Sequence, residues 1–325
     1  MNRRDMLLGA AGAAALPLLP AAAQEAFPTR AVTMVVAFPP GGQADIVARP
    51  VAAALERIWR VPVPVVNRGG AGGAIGNAFV ARAAPDGYTL LMALSSLAVL
   101  PVADELFGRP PAYTVDQFAP IALITADPTV LVVRADSPWR TLEDFIADAR
   151  ARPGAIAYSS AGNYSTLHVA MAMFTTAANL DLLHVPFGGG GPALTALLGG
   201  QVQALSSGPG PVLPHVREGR LRALACWGAQ RIPGFEEVPT FIERGFRDVE
   251  FYIWAGVFAP AATPAPVRER IRAALAEAMG SEELRRALVA AGSPPDYRDG
   301  EAFRAFFQAD SARLVAAVRR IGRVE

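Results

Sequence analysis

The stretch FPPGGQADIVAR, residues 38–49, carries the residue types best suited to gripping an anion. An apolar run, MVVAF (34–38), stops at Pro39-Pro40-Gly41-Gly42, and an amphipathic pattern starts near Ala44 and Asp45 and continues to about Trp59. Strand end, glycine turn and helix start are thus compressed into one short segment. The first N–H groups of a helix have no partner within it, and the aligned peptide dipoles add positive potential there. Main chain alone can then hold a carboxylate, without an arginine. The arrangement recurs along the chain. RGGAGG (68–73), Ser95-Ser96, SSAGNYST (159–166) and FGGGGP (187–192) follow apolar, strand-like runs, and SSGPG (206–210) is a further case. In an open parallel α/β sheet such turns gather along the carboxyl edge of the strands, where ligands bind. Two domains facing each other in this way would line a cleft with helix starts and small hydroxyls, with a carboxylate held at each end. Plain tight connections in an alanine-rich chain are the alternative reading of the same turns.

Catalysis would need a nucleophile with a base, paired carboxylates or metal ligands. The chain has no G-x-S-x-G elbow, no P-loop and no H-E-x-x-H, and its glycine clusters do not spell G-x-G-x-x-G. Asp45 is the one carboxylate in the proposed cleft, and its place suits capping or bracing the helix. His168, His184 and His215 lack metal-ligand spacing and read as structural. The lone Cys226, in LRALACW (221–227), reads as a buried small hydrophobe and has no disulfide partner within the chain. No catalytic residue, metal or cofactor is expected.

The elements that would position these turns follow from the pattern. Residues 1–23 read as an export signal: Arg3-Arg4, the apolar MLLGAAGAAALPLLP (6–20), and Ala21-Ala22-Ala23 ahead of Gln24. Pro17 and Pro20 interrupt the apolar part, which is short for a bilayer span. The paired arginines suit twin-arginine export, with the ordinary secretory route also open. The remainder is expected to be a soluble, periplasmic protein. Of 325 residues with net charge +1, this segment removes two arginines and one aspartate, leaving the rest neutral. Neutrality gives no footprint for nucleic acid. All 30 basic residues are arginine. About 300 residues exceed one core of ordinary size, so two domains are the default. Strand-like runs at 33–38, 63–67, 88–94, 155–162, 182–187 and 202–205 alternate with helix-like ones at 44–59, 74–83, 165–179 and 192–199. Two strands at 120–125 and 129–136 precede a helix over 141–152, which Thr141 and Asp144 would cap. Helices over 267–279 and 301–322 would dock onto a domain surface. The alternation predicts an α/β protein with mainly parallel sheets.

In order, FPPGG-x-x-D (38–45), NRGGAGGAIG (67–76), ARAAPDGYTLL (81–91), DQFAPIALI (116–124), YSSAGNYSTLH (158–168), HVPF (184–187), PALTALLGGQVQAL (192–205), LPHVREGRLRALA (213–225) and VPTFIERGF (238–246) closely resemble the Bug family. Its members are extracytoplasmic substrate-binding receptors of tripartite tricarboxylate transporters. The resemblance implies a type II-like periplasmic-binding-protein fold, α/β in class, with two domains joined by two crossover strands near 118–130 and 226–255. Domain one would be 24–126 plus 229–325, and domain two 127–228. It implies a monomer that closes by a hinge on a small carboxylate and delivers it to a membrane permease. Carried across by position, Phe38, Pro39, Gly41, Gly42, Ala44 and Asp45 would form one half of the site, with Ser95 and Ser96. Ser160, Gly162, Asn163, Ser165 and Thr166, with Phe187, Gly190 and Ser207, would form the other.

Departures from the family pattern bear on the ligand. Gly188 stands where members commonly carry lysine, Phe187 lacks a tyrosine hydroxyl, and Ser206-Ser207-Gly208 replace bulkier or acidic groups. The cleft is therefore expected to be less polar and roomier on the domain-two side, suiting an aromatic or bulky carboxylate rather than a citrate-like acid. A periplasmic sensor that presents its loaded form to a signalling receptor, and an unusual hydrolase, are the competing functions.

Overall fold

Residues 27–324 are described by a computed structural model; the expected export segment lies outside them. The first valine-rich run forms β1 (Thr33–Val36), followed by α1 (Gln43–Trp59), β2 (Val65–Asn67), α2 (Ala74–Ala81), β3 (Thr89–Leu94) and α3 (Ser96–Leu106). Met34, Val35 and Val36 are wholly buried, as in a strand covered on both faces. β1 pairs in parallel with β2 and β3, Val35 lying opposite Val66 and Leu91.

The chain then leaves this sheet along β4 (Phe118–Pro128) and enters a second at β5 (Val130–Arg134), with only Thr129 between. Next come α4 (Leu142–Ala151), β6 (Ala157–Ser160), α5 (Thr166–Ala178), β7 (Leu183–Pro186), α6 (Gly190–Leu198), β8 (Ala204–Ser207), α7 (Pro209–Arg217) and β9 (Leu221–Cys226). The expected capping box is present on α4: Asp144 N–H donates to Thr141 Oγ1 at 3.1 Å, and Thr141 N–H to Asp144 Oδ2 at 3.0 Å. The return path runs beside the outward one. Trp227 N–H donates to Thr129 O and Phe251 N–H to Trp227 O, each at 2.9 Å, before the chain enters β10 (Tyr252–Pro260). Two adjacent, bonded crossings thus join the two sheets. The rest is α8 (Ala265–Gly280), α9 (Glu282–Ala290), β11 (Arg298–Asp299) and α10 (Gly300–Ile321). α10 seats Phe303 and Phe307 against Trp254 and Phe258.

The strand orders are β11-β4-β10-β3-β1-β2 and β7-β6-β8-β5-β9. The sheets are mixed, not mainly parallel as expected. β10 runs antiparallel to β3 and β4, β11 to β4, and β5 to both β8 and β9. The alternation of strand and helix locates the parallel units β2-β1-β3 and β7-β6-β8 correctly. It carries no direction for a strand entered from the other sheet, and all the antiparallel pairs involve such strands or the short β11. Among the described residues, no helix is long and apolar enough to cross a membrane.

Candidate functional site

The turns singled out from the sequence meet where the carboxyl ends of β1, β2 and β3 face those of β6, β7 and β8. Contact across this junction is backbone-close. A methyl group on Gly191 would lie 2.5 Å from Pro40 O, and one on Gly72 would lie 2.9 Å from Asn163 O. Direct hydrogen bonds also cross it: Ser95 Oγ donates to Thr166 Oγ1 at 3.1 Å, and Ser96 N–H to the same oxygen at 3.2 Å. Phe38, Gly42, Ala44, Thr166, Gly190 and Ser207 line one enclosed cavity there, joined by Gln43, Leu94, Leu167, Gly208, Pro211 and Ile253. The lining is largely apolar, with Phe38, Leu94, Leu167 and Ile253 beside the Gln43 side chain and the hydroxyls of Thr166 and Ser207.

The expected roominess is not found. The cavity measures about 20 Å³, enough for about one water molecule. Gly188 has nothing within 4 Å of an added methyl, but Gly189 and Gly191 do not leave open the space a longer side chain would fill. They let the α6 turn and the PPGG turn close onto each other.

The remaining predicted residues lie outside this lining. Asp45 turns away from the lining and clasps its own turn. Its carboxylate accepts from Gly41 N–H at 3.1 Å, from Asn67 Nδ2 at 2.9 Å, and from Arg49 Nε and Nη2 at 2.9 and 2.8 Å. Burial pushes its pKa up, but bonds to Arg49, Asn67 and Gly41 outweigh burial and hold it below the ordinary value. Gly41 has φ +83°, a conformation open to glycine at no steric cost. Asn67 also donates to Phe38 O at 2.9 Å, so it ties both ends of the turn. Its part was missed, although it opens the NRGGAGG motif. Pro39 packs against Gly69 and Gly189, on either side of the junction.

On the other wall, Ser165 is the N-cap of α5, accepting from His168 N–H at 3.3 Å. Ser160 Oγ accepts from Gly162 N–H at 3.2 Å and meets His184 Nε2 at 2.7 Å. Gly162 lies against Gly72, Asn163 is exposed, and Phe187 is half-buried at the rim. Under the turn, Tyr158, His184 and His168 stack, with ring centroids 4.9 and 4.2 Å apart. His168 Nδ1 accepts Tyr164 N–H at 2.9 Å, which places its proton on Nε2. The histidines therefore support the turn, as their placement suggested. The Tyr164 hydroxyl donates to Gly322 O at 2.7 Å and accepts from Val324 N–H at 2.8 Å, pinning the chain's end to this wall. Tyr164→Phe removes both bonds and is expected to cost about 1–3 kcal/mol, the net worth of two hydrogen bonds, read by urea unfolding.

Burial lowers His168 to about 3, with His184 adding repulsion, and lowers His184 to about 4. An unfolded chain protonates histidine below about 6.5, so acid favours unfolding. Stability from these groups is complete above that value and is lost as pH falls toward the folded values, by up to about 1.4 kcal/mol per pH unit for each. In His168→Asn, whose amide oxygen can still accept Tyr164 N–H, the loss between pH 7 and pH 5 is expected to be smaller by up to about 2 kcal/mol. Chemical denaturation at the two pH values measures the difference.

Cys226 is buried and its thiol is pushed up to about 11 by burial, so it carries no thiolate near neutrality. A larger open groove of about 530 Å³, lined by Arg247, Asp248, Arg313 and Arg320 among others, shares no residue with the predicted turns.

Two α/β sheets joined by a paired crossing, with glycine and hydroxyl turns facing across the junction, are the architecture of solute-binding proteins of the periplasmic type. A family profile described as the tripartite tricarboxylate transporter family receptor, TctC, matches residues 47–323. BugT of Bordetella pertussis is 34% identical over 298 residues, covering 92% of this chain and 91% of its own. MatC from Rhodopseudomonas palustris, solved with bound malate, superposes with a TM-score of 0.84 at 32% identity, over 90% of this chain and 99% of its own. A second R. palustris protein, solved with adipate, gives a TM-score of 0.85 at 29% identity, over 91% of this chain and 98% of its own. The chain belongs to the TctC receptor family, as its resemblance to Bug proteins implied, and it is a binding receptor rather than an enzyme.

Proposed function

We propose that this protein captures an aromatic or otherwise bulky carboxylate between its two lobes and delivers it to a tripartite tricarboxylate transporter permease. The observation that carries this reading is the enclosed cavity at the junction, where Thr166 bonds to Ser95 and Ser96 while Phe38, Leu94, Leu167 and Ile253 supply the walls. The Thr166 and Ser207 hydroxyls in the lining suit carboxyl oxygens, and the apolar walls suit a hydrocarbon body. The malate and adipate found in its relatives support the carboxylate class. Admitting such a ligand requires the lobes to part. We assign the hinge to the crossings at 128–130 and 226–252, domain two to 127–228, and domain one to the flanking segments 24–126 and 229–325. The protein acts as a monomer, exported by residues 1–23 with cleavage near Ala23.

A thermal-shift screen of refolded protein against mono-, di- and tricarboxylates tests the reading. Refolding removes any acid carried through purification. Aromatic or long-chain acids are expected to raise the melting temperature more than citrate. Saturation at 1,000 times Kd corresponds to about 4 kcal/mol. A response to citrate alone would overturn the bulky-ligand assignment.

A further inference from the structure

Gln43, 4% exposed, opens α1 and lines the cavity. Its Nε2 donates to Asp127 Oδ2 and to Ser293 Oγ, each at 2.8 Å, and the Ser293 hydroxyl donates to the same Asp127 oxygen. Both amide hydrogens are thereby used. Oε1 has no partner, although it is buried. It faces the start of α7, where a methyl group on Gly208, another lining residue, would lie 2.4 Å from it. An unsatisfied buried acceptor costs about 1–3 kcal/mol, and this one is held at the edge of the ligand cavity.

We propose that Gln43 reads the ligand, and that Asp127 decides whether its amide offers the cleft an acceptor or a donor. The inference rests on the carboxylate reading above. An ionised Asp127 can only accept, so it draws Nε2 inward and leaves Oε1 toward the cleft, where a ligand carboxylate is repelled. A protonated Asp127 donates its O–H to Oε1. The amide then turns over, and Nε2 is free to donate to the ligand. One proton passes from solvent to Asp127, and no other bond is made or broken except hydrogen bonds.

The surroundings of Asp127 permit both states. α1 contributes the uncharged Gln43, β4 contributes Thr125, and β10 places the apolar Ile253 opposite. The segment before β11 brings Ser293 and Asp296, the latter paired with Arg298. Burial raises Asp127 to about 7; bonds from Ser293 and Gln43 act against burial, and Asp296 adds to it.

The test is titration calorimetry from pH 6 to pH 8 with adipate and benzoate as probes. If only the protonated form is competent, its fraction falls to about one-tenth at pH 8, and the apparent Kd is expected to rise about tenfold. Asp127→Asn supplies a permanent donor to Oε1, so it is expected to hold the pH 6 affinity throughout. Gln43→Leu is expected to bind weakly and without pH dependence. Constant wild-type affinity, or a wild-type slope in Asp127→Asn, overturns the proposal. Ligand-free NMR separates it from the carboxylate reading. The Asp127 carboxyl signal, assigned by its loss in Asp127→Asn, and the Gln43 side-chain amide signals are expected to titrate together near pH 7. Binding without that co-titration overturns this inference alone. Co-titration with no acid bound at any pH overturns the carboxylate reading and the reading role of Gln43 with it.

Discussion

Gly191→Ala is expected to weaken carboxylate capture about 5- to 150-fold while leaving the melting temperature unchanged or slightly raised. The new methyl would lie 2.5 Å from Pro40 O on the opposite lobe. Neither side gives way readily, since one neighbour is backbone and the Pro39–Gly42 turn is clasped through Asp45 and Asn67. Overpacking of this kind costs about 1–3 kcal/mol, and each 1.4 kcal/mol is tenfold in affinity. Within its own lobe the substitution is benign. Gly191 is the second residue of α6 and has no positive φ, and alanine is the better helix former by up to about 1 kcal/mol. Affinity and stability should therefore move in opposite directions, as a surface defect would not make them. Gly188→Ala is the internal control, because nothing lies within 4 Å of its added methyl. Calorimetry and thermal unfolding on both variants measure the pair. Unchanged affinity in Gly191→Ala would remove this contact from the closing surface.

What the sequence made legible is what local chemistry can encode. Glycine and hydroxyl turns after apolar runs are visible as residue types in order, and the structure gathers them at one junction. What a hydroxyl does there is not visible, because capping a helix and binding an anion select the same residues. Ser165 and Ser160 are spent on their own turn, while Thr166 alone among the three lines the cavity. The Gln43–Asp127–Ser293 cluster joins residues 84 and 250 positions apart, and no local pattern records such a meeting. Strand direction failed for the same reason. β5 looks like any apolar run, yet it lies antiparallel between β8 and β9 because the chain enters it from the other sheet.

Asp45→Ala is expected to lower stability by about 3 kcal/mol, the scale of losing charge-assisted hydrogen bonds within a buried site. Asp45 is 4% exposed and accepts from three residues. Its loss strands Gly41 N–H and one of the two Asn67 Nδ2 hydrogens, the other staying on Phe38 O, whereas the half-exposed Arg49 can turn to water. At about 2–4 °C per kcal/mol for chains somewhat smaller than this one, the melting temperature should fall by roughly 5–10 °C. Asp45→Asn keeps an acceptor and should fall by about half as much. The pH dependence has a definite sign. Because the folded pKa lies below the unfolded one, stability from Asp45 is full above about 4 and is lost as pH falls through the folded value. Asp45→Asn should lack that acid limb. The comparison also separates two roles for this carboxylate. A brace loses stability first, and binding weakens only as the Pro39–Gly42 turn loosens. A group that met the ligand directly would repel its carboxyl, so Asp45→Asn would then tighten binding, and such an outcome would remove Asp45 from the brace.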